Sequence, residues 1–598
     1  MGRSIVRFRM ALTMALLALG ALLALIIPTF SSAGKGAAPV NLTPRPPSLP
    51  GAGIGPVCFL GEQGPVCVER AGPDAPITPE ALLSSLLAGP TADERARGLR
   101  SAIPAGTTLE DVQVFSTTFT VRLVLPAEAL AGLDTMAVEE IVTQIAATLE
   151  MLGWRDLRVE ALDPTTREFR SLADFFPPLP APRKETLLDE EEHPSPRRGG
   201  VQGALTGKTV YVSAGHGWQW NGYAWRTQRP PYPNPPYIGP IIEDHNNAEA
   251  VNQYLLQYLQ NAGAMVWPAR ERDMNTISIV VDDDDPTTDT GYVETGVWTT
   301  TVGAGYQDSD YRWTETVTGT PAATATWTAT LPADGRYAVY VWYRSGTNRA
   351  PDAHYTVHHA GGETTVMVDQ QHHGITWHYI GDYGFRGGEK AQVVLTNQSV
   401  VTGAVVVADA VRFGGGDFDD LTGIETEAPY PPDKPWWEVA AYYYVQRMGM
   451  TAPYGDVTAR PIYARWEHAG TGDDAVYISW HTNGYNGYQW IASGTTSFIH
   501  SGESKPVTEG SAELREAVHD ELMHDIRAGW DAGWVDRGER SMNLGELREL
   551  WDDDPEARMP GALIEVAYHD HPDDTDALKE PRFNQLAARA IYQGIVKY

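Results

Sequence analysis

The chain has 598 residues but only two cysteines, Cys58 and Cys67. Cysteine is therefore too scarce for a thiolate metal site, and no candidate cysteine nucleophile stands out. Positive charge is also short: 45 Lys and Arg face 77 Asp and Glu, a net charge of −32. That excludes nucleic acid as the main partner, because phosphate binding needs clustered Lys and Arg. Long apolar runs are confined to one place, Met10 to about Phe30. Arg3, Arg7 and Arg9 precede this run, and Ser31-Ser32-Ala33 follows it as a small-residue cleavage site. About 20 apolar residues suffice to cross a bilayer. Residues 1–34 therefore read as either a signal peptide or a membrane anchor. The positive-inside rule puts everything after Lys35 outside the cytoplasm, secreted or anchored in the envelope.

What is present divides into blocks. Residues 35–55 are a Pro-, Gly- and Ala-rich linker. Residues 56–163 alternate helical and strand patterns, as a small α+β module does. Cys58 and Cys67 flank a hairpin there, and a disulfide across it or two unpaired small hydrophobes both remain open. Thr78-Pro79 opens a helix, Leu99 to Ile103 and Val112 to Leu125 read as strands, Ala137 to Leu152 as an amphipathic helix and Leu157 to Leu162 as a last strand. Residues 164–205 are a second linker, Pro-rich and acidic at Asp189-Glu190-Glu191-Glu192.

From residue 206 the pattern is strand, helix, strand, which predicts a right-handed βαβ crossover and a mostly parallel sheet. Lys208 to Ala214 is a strand of β-branched and aromatic residues that stops at Gly215-His216-Gly217. Residues 275–416 change to period-two alternation rich in Trp, Tyr, Val and Thr, the pattern of a β-sandwich. Within it Asp282 to Asp285 offer carboxylates to Ca²⁺, but without spaced ligands they read better as a solvated loop. The histidine pairs His358-His359 and His372-His373 are expected on the sandwich surface. Residues 417–598 return to α/β grammar. The fold class is thus multidomain: an α/β domain interrupted by an all-β sandwich and preceded by the α+β module.

Three strands end in metal-competent or ionisable residues, His216, His481 and Glu565, and Glu243 stands ahead of a helix on the same sheet edge. Two His and a carboxylate with an open fourth position is a catalytic zinc arrangement. A second carboxylate beside it serves as general base and then acid.

These residues carry family resemblances. Gly215-His216-Gly217, Glu243, Arg270-Glu271-Arg272-Asp273, Ser479-Trp480-His481-Thr482-Asn483, Asp536-Arg537-Gly538 and Leu563-Ile564-Glu565-Val566 resemble the zinc-dependent N-acetylmuramoyl-L-alanine amidases. The resemblance implies zinc on His216, Glu243 and His481, with Glu565 as catalytic acid/base. Asp244 is the nearest competitor to Glu243. Arg270, Asn483 and Trp218 are the substrate-binding candidates, while His569 and His571 are expected in a solvated loop. The chain departs from the family pattern at Ser213, in place of Asp, and at Trp218, in place of a second Gly.

Residues Leu87-Ala88-Gly89-Pro90-Thr91 and Ser101-Ala102-Ile103-Pro104-Ala105-Gly106-Thr107 resemble the sporulation and germination module GerMN, which implies an envelope scaffolding role. Ala325-Thr326-Trp327, Val341-Trp342-Tyr343 and Ala408-Asp409-Ala410-Val411-Arg412 resemble the golvesin-type module associated with xanthan lyase, which implies glycan binding. The expected activity is hydrolysis of the amide between N-acetylmuramic acid and L-alanine in peptidoglycan, with wall glycans as further partners. A non-catalytic glycan- or peptide-binding protein on the same scaffold, and a zinc hydrolase of another amide, are the rivals.

Overall fold

The computed structural model describes residues 55–61, 64–70, 76–179, 202–220, 224–229, 241–285, 290–417, 434–450, 454–484 and 492–598. The N-terminal apolar run, nearly all of the first linker and the acidic run 189–192 lie outside them. Among the described residues no helix is long and apolar enough to cross a membrane.

Strands β1 (Gly55–Gly61) and β2 (Gly64–Arg70) pair as an antiparallel hairpin. Its register sets Cys58 opposite Cys67, and the two form a disulfide. Helix α1 (Pro79–Leu87) starts at a Thr78 cap with Pro79 in the first turn, where a missing N–H costs nothing. The expected strand at Leu99 to Ile103 is absent; Arg100 makes one isolated bridge to Leu60 instead. Val112 to Leu125 resolves into a hairpin, β3 (Thr108–Phe115) and β4 (Thr118–Val124), turning at Ser116 in the left-handed region. Helix α2 (Thr135–Leu149), β5 (Asp156–Leu162) and β6 (Phe169–Ser171) complete the module.

The chain then enters β7 (Lys208–Ala214), of which every residue but Lys208 is buried. Burial on both faces is what a central parallel strand needs, and its near-continuous apolar run supplies it. Helix α3 begins at Glu243–Ala250 and continues through a π-helical turn, Val251–Leu255, to Asn261. Strand β8 (Met265–Pro268) lies parallel to β7. Here the chain leaves the sheet for the sandwich, built from four-, five- and three-stranded antiparallel sheets between Ile279 and Phe413.

It returns through helix α4 (Asp456–His468) to β9 (Asp474–Asn483), β10 (Thr495–Ile499), α5 (Ser511–Gly529), β11 (Asp536–Met542), β12 (Gly561–Tyr568) and α6 (Pro581–Lys597). Helices α5 and α6 touch closely at Gly594, where a Cβ would sit 2.4 Å from the Val518 Cα. That contact explains a glycine in a helix interior, where it otherwise costs about 1 kcal/mol.

The sheet is mostly parallel, as expected, with two features that the sequence did not signal. Its order is β8-β7-β9-β12-β10-β11-β5-β4-β3, and β10 runs antiparallel to β12, so the sheet is mixed. It also does not end with the α/β domain. Strand β11 pairs in parallel with β5, Ser541 opposite Asp156 and Met542 opposite Leu157, so the N-terminal module continues the same sheet. Salt bridges fix the junction: Glu150 receives Arg540 at 2.6 and 2.7 Å and also binds Arg537. The His372-His373 pair is not all surface either. His373 is buried, stacked on Trp267 and paired with Glu467 and Asp473, where the sandwich meets the sheet.

Candidate metal centre

The sheet register assembles the site. Residues on parallel neighbours end at one edge, and β9 and β12 place His481 directly opposite Glu565. Strand β7 ends one strand over, and Gly215 donates its N–H to the Trp480 carbonyl at 3.0 Å. A Cβ on Gly215 would lie 2.2 Å from the His481 ring, so only glycine lets that imidazole sit where it does. His216 follows with φ of 65°, a left-handed conformation that costs a non-glycine residue energy and is found mainly where function requires it.

Glu243, at the start of α3, lies between the two imidazoles. Its Oε1 is 3.4 Å from His216 Nε2 and 3.6 Å from His481 Nδ1. One donor atom from each of the three residues lies within 4.8 Å of the others. All three are buried, Glu243 only 2% exposed.

Each donor is held from behind. His216 Nδ1 faces Gln228 Oε1 at 3.4 Å, and Gln228 Nε2 donates to Asp456 at 2.8 Å. His481 Nε2 is 3.2 Å from Glu546 Oε2, which also takes Arg460 at 2.8 Å. Arg460 reaches Asp456 at 3.4 Å, so one chain of polar contacts links the backs of both histidines. Glu243 accepts the Thr482 N–H at 3.0 Å. Carboxylate and amide partners of this kind fix the tautomer and turn the free ring nitrogen toward a metal. Burial works to lower His481, but its bonds to Glu243 and Glu546 prevail and raise it to about 9. Burial also disfavours the Glu546 charge, yet Arg460 and His481 hold its pKa well below the ordinary range.

Glu565 is different. Its Oε2 is buried without a hydrogen-bond partner. Burial pushes the carboxyl up to about 8, against the pull of His481 and with a further push from Glu243. Two imidazoles, one carboxylate and a second, unpartnered carboxylate match the donor chemistry of a catalytic zinc site. The residues present fit that metal.

The other candidates fall into place around this cluster. Asp244, the competitor to Glu243, spends its carboxylate on the N–H groups of Gly217, Gln228 and Arg229 at 2.7–3.0 Å. Arg270 is 2% exposed and donates to the carbonyls of Val439, Ala214, Gly215, Asp244 and Trp437. It ties the loops together. Trp218 sits beside the site, its indole N–H donating to His245 at 3.2 Å and its ring under Lys434. Asn483 lines the cavity, with its amide 3.3 Å from the Tyr568 hydroxyl. Ser213 is buried within β7. His569 is not a solvated loop residue: its Nδ1 lies 3.6 Å from Glu243 Oε2 and 3.0 Å from Thr482 Oγ1. His571, also outside the donor set, pairs with Asp574 at 3.4 Å.

Glu546, Arg460 and Gln228 give no sign in the sequence. Glu546 lies in a charged run, Gly545-Glu546-Leu547-Arg548, that reads as a solvated helix face yet is wholly buried. The cavity over the site is about 190 Å³. One wall is α2 of the N-terminal module, through Glu139, Thr143 and Ala147, with Glu150 just beyond its end.

Three family models match the chain, one for each resemblance seen in the sequence. "Sporulation and spore germination" matches residues 56–156, "Golvesin C-terminal domain" residues 279–415, and "N-acetylmuramoyl-L-alanine amidase" residues 447–597. The amidase match thus takes in His481 and Glu565, and His216 and Glu243 lie before it. Among relatives, a xanthan lyase of Bacillus sp. (strain GL1) is 34% identical over 143 residues, 23% of this chain and 14% of that one. An uncharacterized cell wall amidase of Bacillus anthracis is 32% identical over 137 residues, 22% of this chain and 23% of its own. The chain spans less than a quarter of the length of either relative. Among solved structures, the N-acetylmuramoyl-L-alanine amidase of Clostridium difficile 630 is 24% identical, with 25% of this chain and 68% of that chain covered and a TM-score of 0.19. A Paenibacillus xanthan lyase is 31% identical over 23% of this chain and 13% of that one, with a TM-score of 0.21.

Proposed function

We propose that the protein is an extracytoplasmic peptidoglycan hydrolase that cleaves the amide between N-acetylmuramic acid and L-alanine in a zinc-dependent reaction. The observation that carries this reading is the convergence of His216, Glu243 and His481 next to a buried carboxylate, Glu565, whose Oε2 has no partner. The amidase model that matches the chain supports it.

His216 Nε2, Glu243 Oε1 and His481 Nδ1 would hold the zinc. When bound, it supplies a Lewis acid for the amide carbonyl and makes water nucleophilic near neutral pH. Glu565 moves the proton. Its Oε2 takes one from the attacking water and returns it to the alanine nitrogen as the C–N bond breaks. Gln228 and Glu546 keep the two imidazoles turned inward. The wall contributed by α2 narrows access and keeps bulk water from Glu565. The sandwich and the N-terminal module hold the enzyme in the wall, the sandwich through glycans.

Digestion of purified peptidoglycan tests the reading. New L-alanine amino termini are expected, lost on chelation, restored by zinc, and absent from His216→Ala together with one equivalent of zinc. Lysis that persists without metal, or products with other termini, would overturn it.

A further inference from the structure

The sandwich holds a second cluster of ionisable groups, different in kind from the first. Three chain segments build it. Asp282, Asp283 and Asp284 follow the strand Ile279–Val281, Asp310 opens the strand Asp310–Glu315, and Asp409 follows the strand Val405–Ala408. Pairing brings them together. Val281 lies opposite Val411, and Arg312 lies opposite Ala408, so the ends of both partners meet at Asp409. One oxygen from each of Asp282, Asp283 and Asp409 lies within 4.8 Å of the others, and Asp283, Asp284 and Asp310 form a second such group.

Asp283 belongs to both groups and is the telling residue. It is only 9% exposed, and neither of its carboxylate oxygens has a hydrogen-bond partner. Asp409 is fully buried and accepts only the Tyr306 N–H at 3.1 and 3.3 Å, while its carbonyl takes the Trp327 indole at 2.7 Å. Arg312 is close enough to act on Asp283 through space, but its hydrogen bonds go to Glu294 at 2.5 and 3.0 Å. Burying carboxylates beside one another without a counter-charge is costly. Burial and the neighbouring acids push Asp283 up to about 9 and Asp409 well above the ordinary range. A hard divalent cation removes that cost, and an all-oxygen, carboxylate-rich set at loop ends suits calcium, which takes six to eight oxygens in flexible geometry.

We propose that Asp282, Asp283 and Asp409 bind a calcium ion, with Asp284 and Asp310 grouped on the other side of Asp283, and that the ion pins the ends of three strands of the sandwich. The site is independent of the amidase centre, because calcium prefers oxygen donors and zinc prefers imidazole.

The test uses the purified full-length chain in calcium-free buffer. Terbium(III) replaces calcium as a luminescent probe, excited through Trp327, whose indole contacts Asp409. One terbium per chain is expected, displaced by calcium but not by magnesium at equal concentration. Luminescence should vanish in Asp283→Asn and weaken at least tenfold in Asp310→Asn, which lies at a half-exposed position. Calcium should raise the Tm of the wild type and leave that of Asp283→Asn unchanged. The same variant should be more stable than the wild type when calcium is absent. Equal terbium signal in the wild type and both variants, or no calcium effect on the Tm, would overturn the proposal and leave a cluster that shares protons.

Discussion

The two acidic clusters teach by their difference. In the candidate metal centre each of the three grouped residues has a protein partner: Gln228 for His216, Glu546 for His481, and the Thr482 N–H for Glu243. In the sandwich, Asp283 has none, and Asp409 has one backbone N–H. The first site is oriented before any ion arrives, by partners that fix the tautomer and direction of each imidazole. The second gathers charge and leaves its geometry loose, which a large oxygen-seeking cation tolerates. Among the described acids of the candidate metal centre, Glu565 has a buried oxygen without a partner, where Asp283 has two. The contrast separates a carboxylate kept free to move a proton from one kept free to meet an ion.

The strongest way to break this comparison is Glu565→Gln. Hydrolysis should fall by about 10²–10⁴-fold, the scale of a lost general base. Zinc content should stay at one, because Glu565 is not among the three donors, and elemental analysis beside the rate assay checks both. Loss of zinc with activity would place Glu565 among the ligands and erase the distinction.

Glu546→Gln should have the next largest effect. It removes the charge behind His481 and leaves its shape. Zinc affinity should weaken about 10–100-fold, the usual consequence of removing a partner to a ligand. A competition titration measures it, and the terbium signal of the sandwich should not change.

The smallest effect sharpens the comparison with a third buried acid. Glu503 accepts the Val159 N–H at 3.1 Å and the Ser501 hydroxyl at 2.9 Å, across the junction with the N-terminal module. Burial pushes it up to about 8. The folded state therefore keeps a proton that the unfolded state sheds above about 4.5, so stability should fall as pH rises from there to about 8. Glu503→Gln should flatten that slope and raise the Tm at pH 9, by about 1 °C per kcal/mol for a chain of this length. A Tm series from pH 5 to pH 9 for both proteins is the measurement. An unchanged slope would mean that partners alone make a buried acid cheap.

Much of the chain's character was written in short stretches of sequence. The apolar run of Lys208 to Ala214 and its stop at Gly215-His216-Gly217 define a buried strand with a histidine at its end, because backbone preference and burial are local properties. The period-two pattern of the sandwich and the helical stripe of α2 are local in the same way. His216, Glu243, His481 and Glu565 could be singled out because each ends or adjoins such an element.

What only the tertiary structure decided depends on register and on partners distant in sequence. Arg270 carries the same charge as a substrate clamp, and packing turns it onto five backbone carbonyls. His569 reads as a loop residue until β12 folds it beside Glu243. Glu546 lies 65 residues beyond His481, and no local pattern ties them. Asp282 to Asp285 lack spaced ligands within their own loop, and Asp310 and Asp409 arrive from other strands. Sequence thus determined which elements form and which residues carry chemistry. Folding determined which of those residues share a low-dielectric space, where an unpaired charge is costly enough to need a metal, a proton or a partner.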